Sequence, residues 1–540
     1  MILPDPLSPD LVSWIKAWID KCSTTHNTCN AAEPVVLPTR VIDVGTSNGS
    51  DQPHLKITNG SKGRYIALSY CWGLSPGLST TADNLATHQQ HLPIDKLPKT
   101  LQDAVTITRA FQIPYLWIDA LCIIQPRFRG DAEAAQDWQR EASRMATVYT
   151  NAWLTIAAAE GSDKNAGIIQ QRPSYLSCHI PETPSQGHAQ SSSNLVYARL
   201  FPPARTMHWD RRAWTFQESL LSTRLLVYRE EQVRLICREH TIFENGDREN
   251  PKGSIPIYGP QFFSFPSSSP ISQSDSTTMT KKWYHAIRVF TSRSLTNDAD
   301  KLPALSGLAH RIQPWFGGGQ YHAGLWQSDM INGLLWQSLY SGRRHFLKDT
   351  YLTKPTRYRA PSWSWASLNG EIFYGRQVST EEFFEPFPGP RWPARVTQVS
   401  SEPIGPFFDP MGQVQGGSVT LQGPVRTCAF VLDPNLKCKI QRTHGRQSVF
   451  LLTDLDLATD ANKQDDDIPL YSDQKVGASC FVDYERPRSR RTTCVQLLPH
   501  CGLVVKESLV FPGKFERIGI FTVEDVDWFQ CSKIEQLEIV

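Results

Sequence analysis

The chain has 540 residues, of which 40% are hydrophobic and 20% charged, enough for roughly two to four domains with cores of their own. Its 55 Lys and Arg against 53 Asp and Glu leave a net charge of +2, so no long-range field gathers nucleic acid or an anionic membrane surface. No run reaches the roughly 18 consecutive apolar residues of a bilayer span, and MILPDPLSPDLVSW lacks the basic and apolar regions of a secretory leader. The expectation is a soluble, cytoplasmic protein.

In chain order, residues 1–64 read as a short helix over Pro9–Ile19, a loop, and a strand at Thr39–Val44. The loop carries Cys22-x3-His26-x2-Cys29, three ligand types at zinc-like spacing. A structural zinc needs four ligands and no fourth stands nearby in the sequence, so no metal is assigned. The 12 cysteines are scattered, and Cys71, Cys122 and Cys237 sit in apolar runs where a free thiol packs as a small hydrophobe.

From Tyr65 the pattern alternates. Tyr65–Trp72 is a nearly continuous apolar strand, and Leu101, Ala104, Val105, Thr108 and Phe111 place an amphipathic helix over Thr100–Gln112. Pro114 restarts the chain as a strand over Tyr115–Ile123, followed by a helix over Asp131–Tyr149 and a strand at Trp153–Ala159. Residues 160–205 are loop-rich, with a Ser/Gln/Pro tract at Pro181–Asn194, before a helical pattern resumes at Arg211–Leu221. Alternation of this kind predicts a parallel α/β sheet.

Leu225–Arg229 and Gln232–Cys237 then form a hairpin, Asn245–Thr280 is a long Gly/Pro/Ser-rich excursion, and helical segments follow at Lys282–Arg293, Leu302–Ile312 and Ala323–Leu339. Trp363 and Trp365 alternate as on a strand and read as packing residues. Beyond them, short runs at Ser418–Gln422, Val425–Leu432, Ser448–Thr453, Ser479–Val482, Cys494–Leu498, Gly502–Val510 and Ile518–Thr522 predict a C-terminal all-β module. The expected divisions are 1–64, 65–228, 229–376 and 377–540. The basic run Arg486, Arg488, Arg490 and Arg491 has one nearby ring, Tyr484, which makes no stacking platform, so it reads as a solvated loop.

Two catalytic motifs fail on chemistry. Gly73-Leu74-Ser75-Pro76-Gly77 matches the G-x-S-x-G elbow, but the residue after the serine must supply an oxyanion-hole N–H and Pro76 has none. Cys122 lies in an apolar run without a neighbouring base and reads as a structural thiol, leaving a Cys-dependent hydrolase a minor third reading.

Three blocks carry the identification. YIALSYCWG (65–73), LWIDALCIIQ (116–125, continuing to Met145 and Tyr149) and RRAWTFQE (211–218, followed by Ser222-x-Arg224) resemble, in order, the signatures of the fungal heterokaryon-incompatibility (HET) domain. Downstream, Phe290–His310, YHAGLW (321–326) and APSWSWAS (360–367) also resemble full-length members, so the likeness covers roughly residues 20–370.

The resemblance implies a role in non-self recognition and programmed cell death, and a distant similarity to TIR domains with their flavodoxin-like parallel sheet. The expected architecture is therefore a TIR/flavodoxin-like HET domain, a helical extension and the β module. TIR enzymes that cleave NAD carry a Trp-Cys-x2-Glu stretch with a catalytic Glu. Trp214-x3-Glu218 resembles it, with Thr215 in place of the Cys. Residues four apart share a helical face, so indole and carboxylate line one side.

Glu218 is therefore the candidate catalytic residue, and Trp214, Asp119, Gln125, Trp72 and Arg212 are candidate substrate-binding residues. NAD is expected as substrate, not as a resident cofactor. The alternative is a non-catalytic module acting by self-association or by binding an incompatibility partner, with the β-rich tail as recognition or autoinhibitory surface.

Overall fold

Five consecutive residues, Tyr65–Ser69, are all buried and form a central strand in the first of two units into which the chain divides, Met1–Ser269 and Pro270–Val540. The computed structural model describes residues 2–29, 33–45, 52–73, 77–172, 176–179, 195–198, 206–246, 258–263, 273–338, 352–374, 393–404, 409–431, 449–454, 478–482, 491–523, 526–530 and 532–540. The predicted Ser75–Pro76 turn, the Pro181–Asn194 tract and Arg486, Arg488 and Arg490 lie outside these.

The first unit is built on a sheet of β1 (Arg40–Asp43), β2 (His54–Ile57), β3 (Tyr65–Ser69), β4 (Tyr115–Trp117), β5 (Leu154–Ala158), β6 (Arg224–Tyr228), β7 (Arg234–Cys237) and β8 (Thr241–Phe243). Their spatial order is β8-β7-β6-β5-β3-β4-β1-β2. The inner four, β6-β5-β3-β4, run parallel, with Tyr65 level with Tyr115 and Ile66 level with Leu154. On both sides the sheet then turns antiparallel, through β1 and β2 at one edge and the β6-β7-β8 hairpins at the other. The sheet is thus mixed, where the alternation predicted a parallel one. The inner strands β3, β5 and β6 are buried at every position, as strands covered on both faces must be, whereas the edge strand β2 is only partly buried.

Apart from a six-residue helix at Leu85–Gln90, the α-helices among the described residues of this unit are α1 (Pro9–Thr25), α2 (Lys99–Ala110), α3 (Asp119–Cys122), α4 (Ala132–Ala142), α5 (Met145–Asn151) and α6 (Ala213–Leu221). Ser8 caps α1 by accepting from Leu11 N, Pro9 pre-sets its first turn, and Leu11, Ile15, Trp18, Ile19 and Cys22 bury one stripe. It runs past the predicted Ile19 to Thr25, with His26 as its C-cap. In α2 the expected Leu101, Ala104, Val105 and Thr108 are buried, together with Asp103, whose Oδ2 accepts Ile168 N at 2.7 Å and Ile169 N at 3.0 Å.

Two expected elements break. The strand from Tyr115 ends at Trp117, and Asp119 opens a single helical turn, its Oδ1 accepting Ala120 N at 2.7 Å. The apolar run LCIIQ cannot distinguish a buried strand from a buried turn by periodicity alone. The helix expected over Asp131–Tyr149 divides into α4 and α5 at Ser143 and Arg144. A buried ion pair holds this region: Arg40 bonds Asp137, and its Nε donates to Cys122 O at 2.7 Å, while Asp137 also accepts Ile124 N at 2.8 Å.

The second unit opens with helices Gln273–Thr291 and Pro303–Ile312. The helix expected over Ala323–Leu339 is mostly absent: two short strand pairs, Tyr321–His322 with Leu325–Trp326 and Trp336–Ser338 with Ile372–Tyr374, flank one turn at Met330–Gly333. Trp363 and Trp365 are fully buried as expected, but Trp365–Ser367 is a 3-10 turn and no strand contains them. The β module is longer than expected. Strands Val414–Val431, Val449–Asp454, Ala478–Val482, Phe515–Thr522, Cys501–Glu507 and Arg491–Leu498 pair in that order, and the last pairs back onto the first, closing an antiparallel ring. Arg395–Pro403 and Lys533–Ile539, which the sequence reading missed, add to Val414–Val431.

Candidate functional site

The carboxyl ends of β3 and β4 lie side by side, and the chain leaves them in divergent directions. After β3 come Tyr70, Cys71, Trp72 and Gly73. Gly73 adopts φ +69°, and a Cβ there would lie 2.2 Å from Asp163 Cβ, so only glycine turns the chain at that point. After β4 comes Asp119. Over this edge lies α6, entered through a 3-10 turn at Trp209–Arg211 and buried from Thr215 through Leu221.

Glu218 is 5% exposed and accepts a short hydrogen bond from Ser69 Oγ at the end of β3. Ser69 Oγ itself accepts Trp209 Nε1 at 2.8 Å, and Tyr149 at the end of α5 adds a hydroxyl beside the Glu218 carboxyl while reaching Leu68 O at 3.2 Å. Burial pushes the Glu218 carboxyl up from 4.5 to about 7. The Ser69 hydroxyl opposes this, the Asp119 charge reinforces it, and Arg212 and Tyr149 draw it back. Asp119 is also raised by burial, against a 2.8 Å bond from Trp72 Nε1 and the charge of Arg212. The Tyr70 hydroxyl is buried near Asp119 without a hydrogen bond of ordinary geometry. Two carboxyl groups thus oppose each other electrostatically beside one guanidinium.

Residues 65–218 match the family model described as Heterokaryon incompatibility protein (HET). The chain carries a HET domain. The matched span opens with the strand β3 and closes on Glu218, so the Ser69–Glu218 bond joins its opening strand to its last residue. No curated protein and no solved structure matches the chain.

Of the residues the sequence nominated within the HET domain, the fold gathers Glu218, Asp119, Trp72 and Arg212. Trp214 stands one turn before Glu218, half-buried, with its ring edge-on to Trp138 at 6.2 Å. Gln125 braces a loop instead: its side-chain amide donates to Ile123 O at 3.0 Å and its backbone N–H to Thr80 O at 2.7 Å. Ser69, Tyr70, Tyr149 and Trp209 were not nominated. Ser69 and Tyr70 had a visible signal, as polar groups closing an apolar strand, and Tyr149 ended the second block. Trp209 had none. Burial lifts the Cys122 thiol to about 12 and the Cys71 thiol to about 11, so neither is a thiolate at neutral pH and a Cys122 nucleophile is disfavoured.

The conclusion that Cys22, His26 and Cys29 lack a fourth partner is corrected. The sheet's antiparallel edge carries Cys237, at the end of β7, to the end of α1, and the ligand atoms of all four residues lie within 4.8 Å of one another. The fourth residue comes from 208 positions beyond Cys29, beyond the reach of any spacing rule.

Proposed function

We propose that the HET domain is an effector of non-self recognition that hydrolyses the nicotinamide–ribose bond of NAD. The observation carrying this reading is Glu218, a buried carboxyl poised near neutrality and set against Asp119 at the carboxyl edge of parallel strands. Ionisable groups shifted by burial and a like charge mark functional sites. The four parallel strands of the mixed sheet stand in the spatial order second, first, third, fourth, which supports a flavodoxin-like reading of this part of it. Ligands in such sheets bind beyond the strand ends where the order reverses, here between β3 and β5.

In the reaction the bond from ribose C1′ to the pyridinium nitrogen breaks, and its electron pair leaves with neutral nicotinamide. Water adds to C1′ and releases one proton, giving ADP-ribose. Ionised Glu218 stabilises the oxocarbenium charge or holds ribose hydroxyls, Asp119 receives the proton from water, and Trp72 or Trp214 stacks on the cationic ring. The test is expression of the full chain in cells, with NAD content and growth followed together for wild type, Glu218→Gln and Glu218→Ala. NAD depletion and growth arrest should disappear together in both variants. Arrest that persists in both with NAD unchanged would overturn the enzymatic reading.

One feature supports a second, interaction-based reading. In the β module the turn after Cys501–Glu507 holds Leu509, Val510 and Phe511 out at 93%, 71% and 50% exposure, with Ser508 Oγ accepting Val510 N and Phe511 N at 3.2 Å each. An ordered apolar tip in water marks a contact for a partner. Leu509→Asp with Phe511→Asp should abolish self-association or partner capture if this reading holds, and leave NAD loss unchanged.

A further inference from the structure

We infer that Cys22, His26, Cys29 and Cys237 form a tetrahedral Cys3His site for a structural zinc ion, which ties the end of α1 to the hairpin of β7 and β8. His26 Nδ1 lies 3.7 Å from Cys29 Sγ and 3.4 Å from Cys237 Sγ. Zinc–sulfur bonds of about 2.3 Å and zinc–nitrogen bonds of about 2.0–2.1 Å at tetrahedral angles place S and N about 3.6 Å apart, and the two separations bracket that value. Three thiols and one imidazole are also the soft donor set that selects zinc over calcium or magnesium.

The surroundings fit a thiolate. Glu239 N and His240 N both donate to Cys237 Sγ, at 3.4 and 3.3 Å, an orientation suited to a charged sulfur, since a neutral thiol accepts weakly. Zinc binding would displace three thiol protons and leave a site of net charge −1. The buried Arg224, whose charge acts on Cys22 and whose Nη2 donates to Ser23 Oγ at 2.9 Å, offsets it. Glu239 is not needed as a ligand, because its carboxylate clamps the ligand loop by accepting Thr28 N at 2.8 Å and Thr28 Oγ1 at 2.9 Å. Cys22, Cys29 and Cys237 are free of disulfides, as the site requires.

The test uses the full chain, purified without an affinity tag or added metal and under reducing conditions. Elemental analysis should give one zinc per folded chain, released as a mercurial reagent titrates the thiols. Cobalt exchanged into the site should show the strong d–d bands of tetrahedral geometry and sulfur-to-cobalt charge transfer. Cys237→Ser should lose most of the metal, and chelation of the wild type should lower Tm reversibly on zinc return. Folded wild type without stoichiometric metal, a cobalt spectrum lacking sulfur charge transfer, or a disulfide among these cysteines by mass spectrometry would each overturn the site. Because the wild-type readouts stand alone, misfolding of Cys237→Ser leaves the inference testable.

Discussion

Two polar clusters sit on one sheet and are assembled in different ways. The Glu218 cluster forms where parallel strands end, so its members lie in short segments just after β3, just after β4 and on α6. The Cys22 cluster forms at an antiparallel edge, where α1 meets a hairpin more than 200 residues later. In the first, burial raises carboxyl groups toward neutrality. In the second, soft ligands converge beside the opposite charges of Arg224 and Glu239. A parallel edge concentrates a site into recognisable blocks, while an antiparallel edge closes one with a residue that no block contains.

The largest effect separating the two should come from Glu218→Ala. Removing the carboxyl leaves the Ser69 hydroxyl without its buried acceptor, Tyr149 keeping only Leu68 O, and opens a cavity, at a cost of about 4 kcal/mol. Urea unfolding at pH 6 measures this, and metal content should be unchanged. Loss of both stability and metal would mean that the clusters are one cooperative structure.

Next is the pH dependence. An unfolded Glu218 titrates near 4.5 and the folded one near 7, so between these values the folded chain keeps a proton that the unfolded chain has released. The stability contributed by the protonated carboxyl is whole below 4.5 and is lost as pH rises through 7, by about 3 kcal/mol. Glu218→Gln should remove its share of that slope, leaving below pH 6 the part contributed by the buried Asp329, raised to about 6. A wild type whose stability is flat across this window would contradict the buried, near-neutral carboxyl.

A smaller effect is expected from Arg40→Met, which leaves Asp137 with Arg140 as its remaining cation and frees Cys122 O. Because part of the pairing survives, the loss should be about 2 kcal/mol, read by urea unfolding. Its consequence should fall on α3 and hence on Asp119. Trp72→Phe is the mildest test: it deletes the 2.8 Å bond to Asp119 at a cost of about 1 kcal/mol and should raise KM for NAD a few-fold with kcat less affected.

Much of the first unit was legible because its signals are local. The fully buried, mostly apolar β3 and β5, the stripe of α2 and the Trp214–Glu218 spacing can each be read within one segment. Asp119 was nominated at the correct edge for an incorrect reason, since it begins a helical turn where a longer strand was expected. The β6–β7 hairpin was legible from its turn, but the antiparallel pairing of β1 against β4 was not, because β1 is a short buried run whose neighbours are set by topology. The same limit hid Cys237, whose apolar surroundings in RLIC read as core packing. In the second unit, Tyr321–Ser338 mixes aromatic and helix-favouring residues, and tertiary contacts choose strands over the helix that periodicity favoured.

The most direct measurement is release of nicotinamide from NAD by the purified full chain, compared between wild type and Glu218→Gln at matched Tm. Wild-type turnover should rise with pH as Glu218 ionises near 7, and the variant should lose about 1000-fold. Equal release by both proteins, or none by a folded and metal-replete wild type, would contradict it.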